Sequence, residues 1–493
     1  ANNLTHLGRI ILSYIEIDTI PFFAGLPSKS GMPTMTWVTF SSRTKHLLHC
    51  CLLTSVIFGF ALFTRTSQKK DSFNLNPVEK YGICATIILY FLRFLTLLGV
   101  PQVVFNLLGL TLYNAFPEKP QLQGSPLLAP FLCVRTVTRG DFPELVKTNI
   151  QRNMKTCLDV GLENFMLEVV TDKPVNIFKH PRIREIVVPS DYHTKTNALF
   201  KSRALQYCLE DEVNLLSDND WIVHLDEETL LTENSVRGIL NFITEGTAQF
   251  GQGLITYANE NIVNWITTLA DSFRVADDMG KLRFQFKMFH KPLFGWKGSY
   301  VVTQVAAEKD ISFDNGLDGS IAEDCYFGMK ASHGGYKFGF VEGEMWEKSP
   351  FTFWDFLQQR KRWIQGILLV VHSKMIPLKT KIFLAFALYS WVMLPLITSN
   401  LVVAVLFPIP VPILLNIMCN FVGGVNVYMY IFGVLKSFSF HRSNILQFFL
   451  RIIGSVCTIP FNLLIENTAV IWGVLGKKHT FYIVRKDVNT IIV

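Results

Sequence analysis

Residues 221–229 read WIVHLDEET, an apolar run that ends in three consecutive carboxylates. The apolar part predicts a buried β-strand that delivers Asp226, Glu227 and Glu228 to the edge of a sheet. Neighbouring anions repel one another unless a cation or solvent offsets them, and carboxylate oxygens suit Mg²⁺ or Mn²⁺. The same residues would also suit a helix N-terminus, where acidic side chains face the positive end of the dipole. By itself, the stretch leaves both interpretations open.

Short apolar runs alternate with helical patterns on both sides of this stretch, between residues 120 and 365. The pattern predicts strands within 127–138, 165–172 and 183–189, and helices at about 142–161 and 198–210. Strands that alternate with helices indicate a parallel sheet, and open sheets of this kind bind ligands at the carboxyl ends of their strands. Arg135, Asp172 and Asp226 are predicted to lie where strands end, so we expect a Rossmann-like α/β domain with its site at that edge.

The composition of the whole chain is that of a membrane protein. Of its 493 residues, 49% are hydrophobic and only 17% are charged. The net charge of +7 is modest and the basic residues are scattered, so nothing supports nucleic-acid binding. The nine cysteines include no CxxC pair, which suggests neither a zinc site nor a disulfide framework and favours a reducing, cytosol-facing domain.

Apolar segments precede and follow the predicted domain. Residues 47–63 are just long enough to cross a bilayer, and residues 82–116 predict either one kinked span or two short ones. Residues 381–407 and 411–435 predict two spans, out and back, between basic clusters that the positive-inside rule assigns to the cytosol. Residues 446–475 contain two charged residues and a proline that make a straight span costly, so we predict a re-entrant segment or short helical hairpin.

The predicted division of the chain has five parts. They are a poorly ordered N-terminal extension without assigned function (1–46), N-terminal transmembrane helices (47–116), the α/β domain (120–365), C-terminal transmembrane or interfacial helices (366–480) and a cytosolic tail (481–493).

Two further polar positions fall within the α/β domain. Asp172 ends a predicted strand, where a carboxylate accepts hydrogen bonds from a base or ribose. Because Lys173 and Pro174 follow it, Asp172 is also typical of an ordinary turn. Lys201 and Arg203 begin a predicted helix, where they would meet phosphate or simply face solvent.

Charge is concentrated again just before the apolar final third. In IAEDCYFG (321–328), one of Glu323 and Asp324 is a candidate general base, or the pair caps a helix. In QQRKRW (358–363), the arginines are able to grip a diphosphate and the tryptophan offers a flat face to a sugar. The alternative is a basic cluster that contacts lipid headgroups.

The order of these elements resembles the membrane-embedded family 2 glycosyltransferases, whose pattern is D, DxD, [TE]ED and Q[QR]xRW. Here Asp172, DEE (226–228), AED (322–324) and QRKRW (359–363) follow in that order. Stretches such as CVRTVTRGDFPELV, KSRALQYCLE, HLDEET and FGWKGSYVV are more closely similar to the egghead-type β-1,4-mannosyltransferases of invertebrate glycolipid synthesis, from about Trp37 onward.

The resemblance implies an α/β GT-A catalytic domain, facing the cytosol, inserted between transmembrane helices of a Golgi or endoplasmic reticulum protein. It implies an inverting transfer of mannose from GDP-mannose to glucosylceramide, giving mannosyl-β-1,4-glucosylceramide, with a divalent cation, Mg²⁺ or Mn²⁺. A processive synthase of the cellulose, hyaluronan or chitin type is the alternative, although such proteins generally need more spans. A transporter or scaffold would leave the acidic motifs unexplained.

The resemblance also implies roles for individual residues. Asp324 matches the catalytic base, and Asp226 with Glu228 matches the metal site, where the longer Glu228 favours ligation through water. The residues expected to bind the nucleotide sugar are Arg135, Asp172, Lys201, Asp226, Arg360 and Arg362. Those expected to contact the acceptor are Trp363, Trp296, Gly298 and Glu323. Ala322 replaces the first residue of the TED triplet, which removes a hydroxyl but not the base.

Overall fold

A computed structural model describes residues 19–22, 36–39, 41–67, 75–258, 261–438 and 445–477, together with Tyr482, Val484 and Lys486. Most of the predicted N-terminal extension and of the C-terminal tail therefore lies outside the described residues. The boundary of the extension needs correction, because the first helix begins at Ser42, five residues before the predicted span.

Nine strands lie in the described residues. They are β1 (Thr19–Phe22), β2 (Thr36–Thr39), β3 (Leu132–Thr138), β4 (Phe165–Thr171), β5 (Ile183–Val187), β6 (Trp221–Asp226), β7 (Phe250–Thr256), β8 (Val301–Gln304) and β9 (Phe338–Trp346). The first two pair with each other, and the other seven form one sheet in the order β5-β4-β3-β6-β8-β7-β9.

The helices within the described residues fall into three groups along the chain. Before the sheet are α1 (Ser42–Ser67), α2 (Pro77–Tyr81), α3 (Ile83–Leu95) and α4 (Val100–Leu112). Between the strands are α5 (Pro143–Asp159), α6 (Phe200–Tyr207), α7 (Glu233–Glu245), α8 (Trp265–Asp277), α9 (Val305–Ile311) and α10 (Glu323–His333). After the sheet are α11 (Phe353–His372), α12 (Leu378–Val392), α13 (Leu394–Leu406), α14 (Ile413–Ser437), α15 (Ile445–Cys457) and α16 (Ile459–Leu475).

The sheet is mixed, which corrects the prediction of a purely parallel one. Strands β5, β4, β3 and β6 are mutually parallel, but β8 runs antiparallel to both β6 and β7. Since Val301 pairs with His224, β8 starts close to the edge at which β6 ends. The loop just before β8 is thereby brought beside Asp226, at the carboxyl ends of the parallel strands.

Apolar helices flank the sheet domain on both sides, as predicted. Among the described residues, four helical stretches are long and apolar enough to cross a membrane: Ser42–Thr64, Ile83–Leu112, Ile413–Ser437 and Leu446–Leu475. Helices α12 and α13 form a fifth candidate that is bent by 46°. Residues 83–112 therefore follow the first of the two predicted alternatives, a single interrupted span.

The predicted hairpin in residues 446–475 is wrong, because α15 and α16 together form one candidate span of 30 residues. Its polar residues have partners within the protein. The guanidinium of Arg451 lies 4.5 Å from the ring centroid of Phe438, and Glu466 accepts hydrogen bonds from Arg360 and Trp391. Pro460 occupies the first turn of α16, where a proline leaves no hydrogen bond unmade.

Two glycines set how closely the sheet domain approaches the apolar helices. A Cβ on Gly109 of α4 would lie 1.9 Å from the carbonyl oxygen of Gly280, and one on Gly433 of α14 would lie 1.9 Å from that of Ser272. Any larger residue would separate these backbones. The helical stretch at residues 265–289 is thus held directly against two candidate membrane spans.

Candidate active site

A cavity of about 480 Å³ opens at the carboxyl ends of the parallel strands. Ten of the twelve predicted site residues line it: Asp172, Lys201, Asp226, Glu228, Trp296, Gly298, Glu323, Asp324, Arg362 and Trp363. Ile367, Leu384 and Trp391, from the helices that follow the sheet, complete its wall. The widely separated motifs of the sequence therefore converge on one site.

Lys201 links three of the motifs. Its ammonium nitrogen lies 2.6 Å from Asp226 Oδ1, 3.1 Å from the carbonyl oxygen of Gly298 and 3.7 Å from Glu323 Oε1. Burial alone lowers the pKa of Lys201, but Asp226 and Glu323 outweigh it and raise the pKa above its ordinary value. Burial likewise raises the pKa of Asp226, yet Lys201 and Lys486 bring it below its ordinary value, so the two groups remain an ion pair.

Asp324 lies at the first turn of α10, beside the loop that precedes β8. A Cβ on Gly298 would come within 3.1 Å of Asp324 Oδ2 and 3.3 Å of Lys201 Nζ, so the absence of a side chain leaves room at this point. Burial, reinforced by Glu323, raises the pKa of Asp324 to about 7. A carboxylate with such a pKa is suited to take a proton near neutral pH.

Acidic residues at the end of β6 and just after it line the cavity. Lys486 lies 3.0 Å from Glu227 Oε1 and also contacts Glu228 Oε2. Burial raises the pKa of Glu228 above its ordinary value, reinforced by Asp226 and Glu227 and opposed by Lys486. Carboxylate oxygens in this arrangement fit a hard divalent cation, and Asp226 and Glu228 would hold it.

Three other predicted residues contribute to the walls. Asp172 accepts a hydrogen bond of 2.8 Å from Arg203, which orients it at the end of β4. Trp363 contacts two guanidinium groups, those of Arg274 and Arg360, which lie 4.7 and 4.4 Å from its ring centroid. Trp296 is only 5% exposed and packs edge-on against Phe338, so most of its ring belongs to the core.

Arg135 is not brought to the cavity, and the prediction that it ends a strand is wrong. Strand β3 continues to Thr138, so Arg135 lies in its middle, where the side chain is fully buried. Its guanidinium pairs with Glu168 at 2.6 Å and Glu308 at 3.5 Å. The residues that reach the edge instead are Thr138 and the segment that follows it.

Arg360 also points away from the cavity. It is 4% exposed and pairs with Asp271 of α8 at 2.6 Å and with Glu466 of α16 at 3.0 Å. Helix α11 presents successive side chains in different directions, so Arg362 and Trp363 face the cavity while Arg360 faces the neighbouring helices. The geometry assigns Arg360 to the junction between the sheet domain and the apolar helices.

Arg360→Met is therefore expected to act on stability. Removing one partner of a buried ion pair typically costs about 3–5 kcal/mol, because the remaining charges stay buried without compensation. Thermal unfolding of the detergent-solubilised protein should shift to a clearly lower temperature, while the donor KM of the folded fraction stays unchanged. A normal melting temperature with a raised donor KM would instead support the predicted contact with the diphosphate.

Tyr257, Arg274 and Glu347 are among the further cavity residues that were not predicted from the sequence. Burial, together with Glu228 and Asp226, raises the pKa of Glu347 to about 7, and its carboxylate accepts a 2.6 Å hydrogen bond from Thr229. Glu347 directly follows β9, so its position at a strand end could have been used to predict it. Arg274 lies within a helix whose polar face gives no such signal.

Similarity to known proteins identifies the family of this chain. Residues 221–436 match glycosyl transferase family group 2. The β-1,4-mannosyltransferase egh of Drosophila melanogaster is 67% identical over 92% of this chain and 99% of its own length. The β-1,4-mannosyltransferase bre-3 of Caenorhabditis elegans is 59% identical over 91% of this chain and 99% of its own length.

Among solved structures, Staphylococcus aureus TarS 1-349 aligns with a TM-score of 0.30 and 11% identity over 61% of this chain and 90% of that one, a likeness too weak to carry an argument. The family match and the mixed sheet confirm the predicted GT-A domain between two groups of apolar helices. By its identity to egh and bre-3 over almost its whole length, the chain belongs to the β-1,4-mannosyltransferases of glycosyl transferase family group 2.

Proposed function

We propose that this protein transfers mannose from GDP-mannose to glucosylceramide with inversion, which yields mannosyl-β-1,4-glucosylceramide. The observation that carries the proposal is the single cavity in which Asp172, Asp226, Asp324 and Arg362 meet residues of the apolar helices. A water-soluble donor and a lipid-borne acceptor require a site of this kind, with polar groups on one side and apolar helices on the other.

The donor would occupy the edge of the parallel strands. Asp172, held by Arg203, would accept hydrogen bonds from the nucleoside, and Arg362, which lines the same cavity, would bind the diphosphate. Asp226 and Glu228 would hold a divalent cation, of the kind that glycosyltransferases of this group generally use, which supplies positive charge to the diphosphate. Lys201 keeps Asp226 ionised and oriented before the donor arrives.

Asp324 would act as the general base. Its carboxylate takes the proton of the acceptor hydroxyl, whose oxygen forms a bond to the anomeric carbon as the bond to the diphosphate breaks. The proton ends on Asp324 and the electron pair leaves with GDP. Because one displacement inverts the anomeric configuration, an α-linked donor gives a β-linked product.

The pH dependence of transfer should report this base. Since Asp324 must be deprotonated to act and its pKa is raised to about 7, transfer should rise with pH up to about 7 and level off above it. Below that point the logarithm of kcat/KM should increase by about one for each pH unit. A profile that stays flat between pH 5.5 and 8 would contradict the assignment.

From the resemblance to the family 2 membrane glycosyltransferases, we infer that the cavity faces the cytosol and that the protein lies in the Golgi or endoplasmic reticulum. Protease accessibility of an epitope in the α5 region, tested in sealed microsomes, would check this orientation.

Purified protein in nanodiscs that contain glucosylceramide, incubated with a panel of labelled nucleotide sugars, tests the function. We expect incorporation from GDP-mannose alone, one residue per lipid, in a linkage that a β-mannosidase cleaves. A high-mass polymer would support a processive synthase instead. Equal incorporation from UDP-sugars would refute the proposed donor.

A further inference from the structure

The helical stretch at residues 265–289 presents polar side chains to the cavity. Helix α8 is continued by two π-helical segments, Asp278–Leu282 and Gln285–Phe289. Arg274, Asp277 and Lys281 follow one another at steps of three and four residues, and all three line the cavity. The π-helical form is rare and frequently occurs at functional sites, because it redirects the side chains on one face.

Asp277 and Lys281 form an ion pair that is anchored to α4, part of a candidate membrane span. Lys281 Nζ lies 3.1 Å from Asp277 Oδ1, and the two side chains also bond to Gln102 and Asn106 of α4, at 3.2 and 3.1 Å. Both remain partly exposed to the cavity. The pair therefore lies at the junction between the cavity and this candidate span.

Apolar residues also line the cavity, namely Leu282, Phe294, Ile367, Leu384 and Trp391. Of these, Phe294 lies beside the pair, since Lys281 Nζ is 5.5 Å from its ring centroid.

Aromatic rings continue this apolar wall toward the bilayer. The Phe294 ring packs on Phe105 of α4 at 4.8 Å and on Phe383 of α12 at 5.4 Å. The apolar side of the cavity is therefore continuous with two helices of the membrane region.

The polar groups on this wall are balanced in charge. Lys281 is paired with Asp277, and Arg274 lies 3.6 Å from Asp271. The buried hydroxyl of Tyr257 has no hydrogen-bond partner among the described residues, and the guanidinium of Arg274 lies 4.7 Å from its ring centroid. Paired charges with an available hydroxyl suit the uncharged hydroxyl groups of a sugar better than the charge of a diphosphate.

We propose that Tyr257, Arg274, Asp277 and Lys281 form the subsite for the sugar of the acceptor, with Leu282 and Leu384 against the first part of its lipid. This inference rests on the proposed function, since it takes the acceptor to be a glycolipid with an uncharged hexosyl headgroup. In this arrangement the sugar lies along the π-helical segments with a hydroxyl directed to Asp324.

Asp277→Asn and Lys281→Met test the subsite by steady-state kinetics. Loss of a hydrogen bond to a charged group should raise the KM for glucosylceramide roughly tenfold to a hundredfold. The KM for the donor and the slow hydrolysis of the donor without acceptor should change less than twofold. Lys287→Met is the matched control, because Lys287 belongs to the same helical stretch but pairs with Glu342 outside the cavity.

A direct binding measurement on the wild-type protein depends neither on whether the variants fold nor on whether transfer occurs. Wild-type protein is photolabelled with azidophenyl β-glucoside, with and without competing short-chain glucosylceramide, and the adducts are mapped by peptide mass. Competed adducts within residues 265–289 or 378–392 support the subsite. Adducts elsewhere, no competed adduct, or an unchanged acceptor KM in both variants would overturn it.

Failure of the proposed function can be distinguished from failure of the proposed acceptor subsite. Wild-type protein that transfers nothing to glucosylceramide refutes the proposed function, whereas the position of the adducts decides the subsite whether or not transfer occurs.

Discussion

Asp324→Asn should lower transfer by on the order of a hundredfold or more, which is the scale of a lost general base. The amide is nearly the same size as the carboxyl group but does not accept the proton. Because Asp324 is buried beside Glu323 and its pKa is raised to about 7, replacing it removes a neighbouring negative charge and should leave the fold intact. The measurement is the rate of single-turnover transfer at pH 7.5, with donor binding determined separately.

The control for this variant is Asp310→Asn. Asp310 bonds to the hydroxyl of Tyr336 and does not line the cavity, so its amide should leave transfer unchanged. Near wild-type transfer by Asp324→Asn would remove the proposed base and, with it, the mechanism. Weak donor binding by that variant would mean that Asp324 supports the donor site instead.

Asp226→Asn should reduce transfer by about a hundredfold to a thousandfold, because stabilisation of a leaving diphosphate by a cation is worth several kcal/mol. The loss should appear as weaker donor binding and weaker dependence on Mg²⁺ or Mn²⁺. Asp226 also holds Lys201 at 2.6 Å, so the same change leaves that ammonium with Glu323, Asp324 and the carbonyl of Gly298.

Two comparisons separate these effects. Glu228→Gln keeps the Lys201 pair and should cost less, since its longer side chain favours ligation through water. Asp220→Asn, at the opposite end of β6, alters only a turn in which Asp220 accepts a hydrogen bond from Ser217. If Asp226→Asn retained full metal-dependent activity, the cation would have to lie elsewhere.

Lys486 adds a constraint to the metal site. Its ammonium contacts both Glu227 and Glu228. Burial lowers the pKa of Lys486, but these two carboxylates and Asp226 outweigh burial and hold the pKa above its ordinary value. A cation at Asp226 and Glu228 would therefore share carboxylates with a lysine that comes from the far end of the chain. The predicted tail is thus part of the cavity wall where it is described.

The candidate site was predictable where short-range pattern determines position. An apolar strand that ends in an acidic residue places that residue at the sheet edge, and Asp172 and Asp226 lie there as expected. The same reasoning failed for Arg135, because three more β-branched residues, Thr136, Val137 and Thr138, extend β3 beyond it. It failed for Arg360 because the sequence does not state which neighbours surround each face of α11.

By itself, the sequence determined the alternation of strands and helices, the apolar segments and the order of the acidic and basic motifs, since each depends on residues close together in the chain. Only the tertiary structure decided the antiparallel insertion of β8, the direction of Arg360 and the presence of Arg274, Lys281 and Lys486 at the cavity. Those features depend on contacts between segments up to hundreds of residues apart. Such contacts are set by packing and charge pairing across the fold, which no local pattern records.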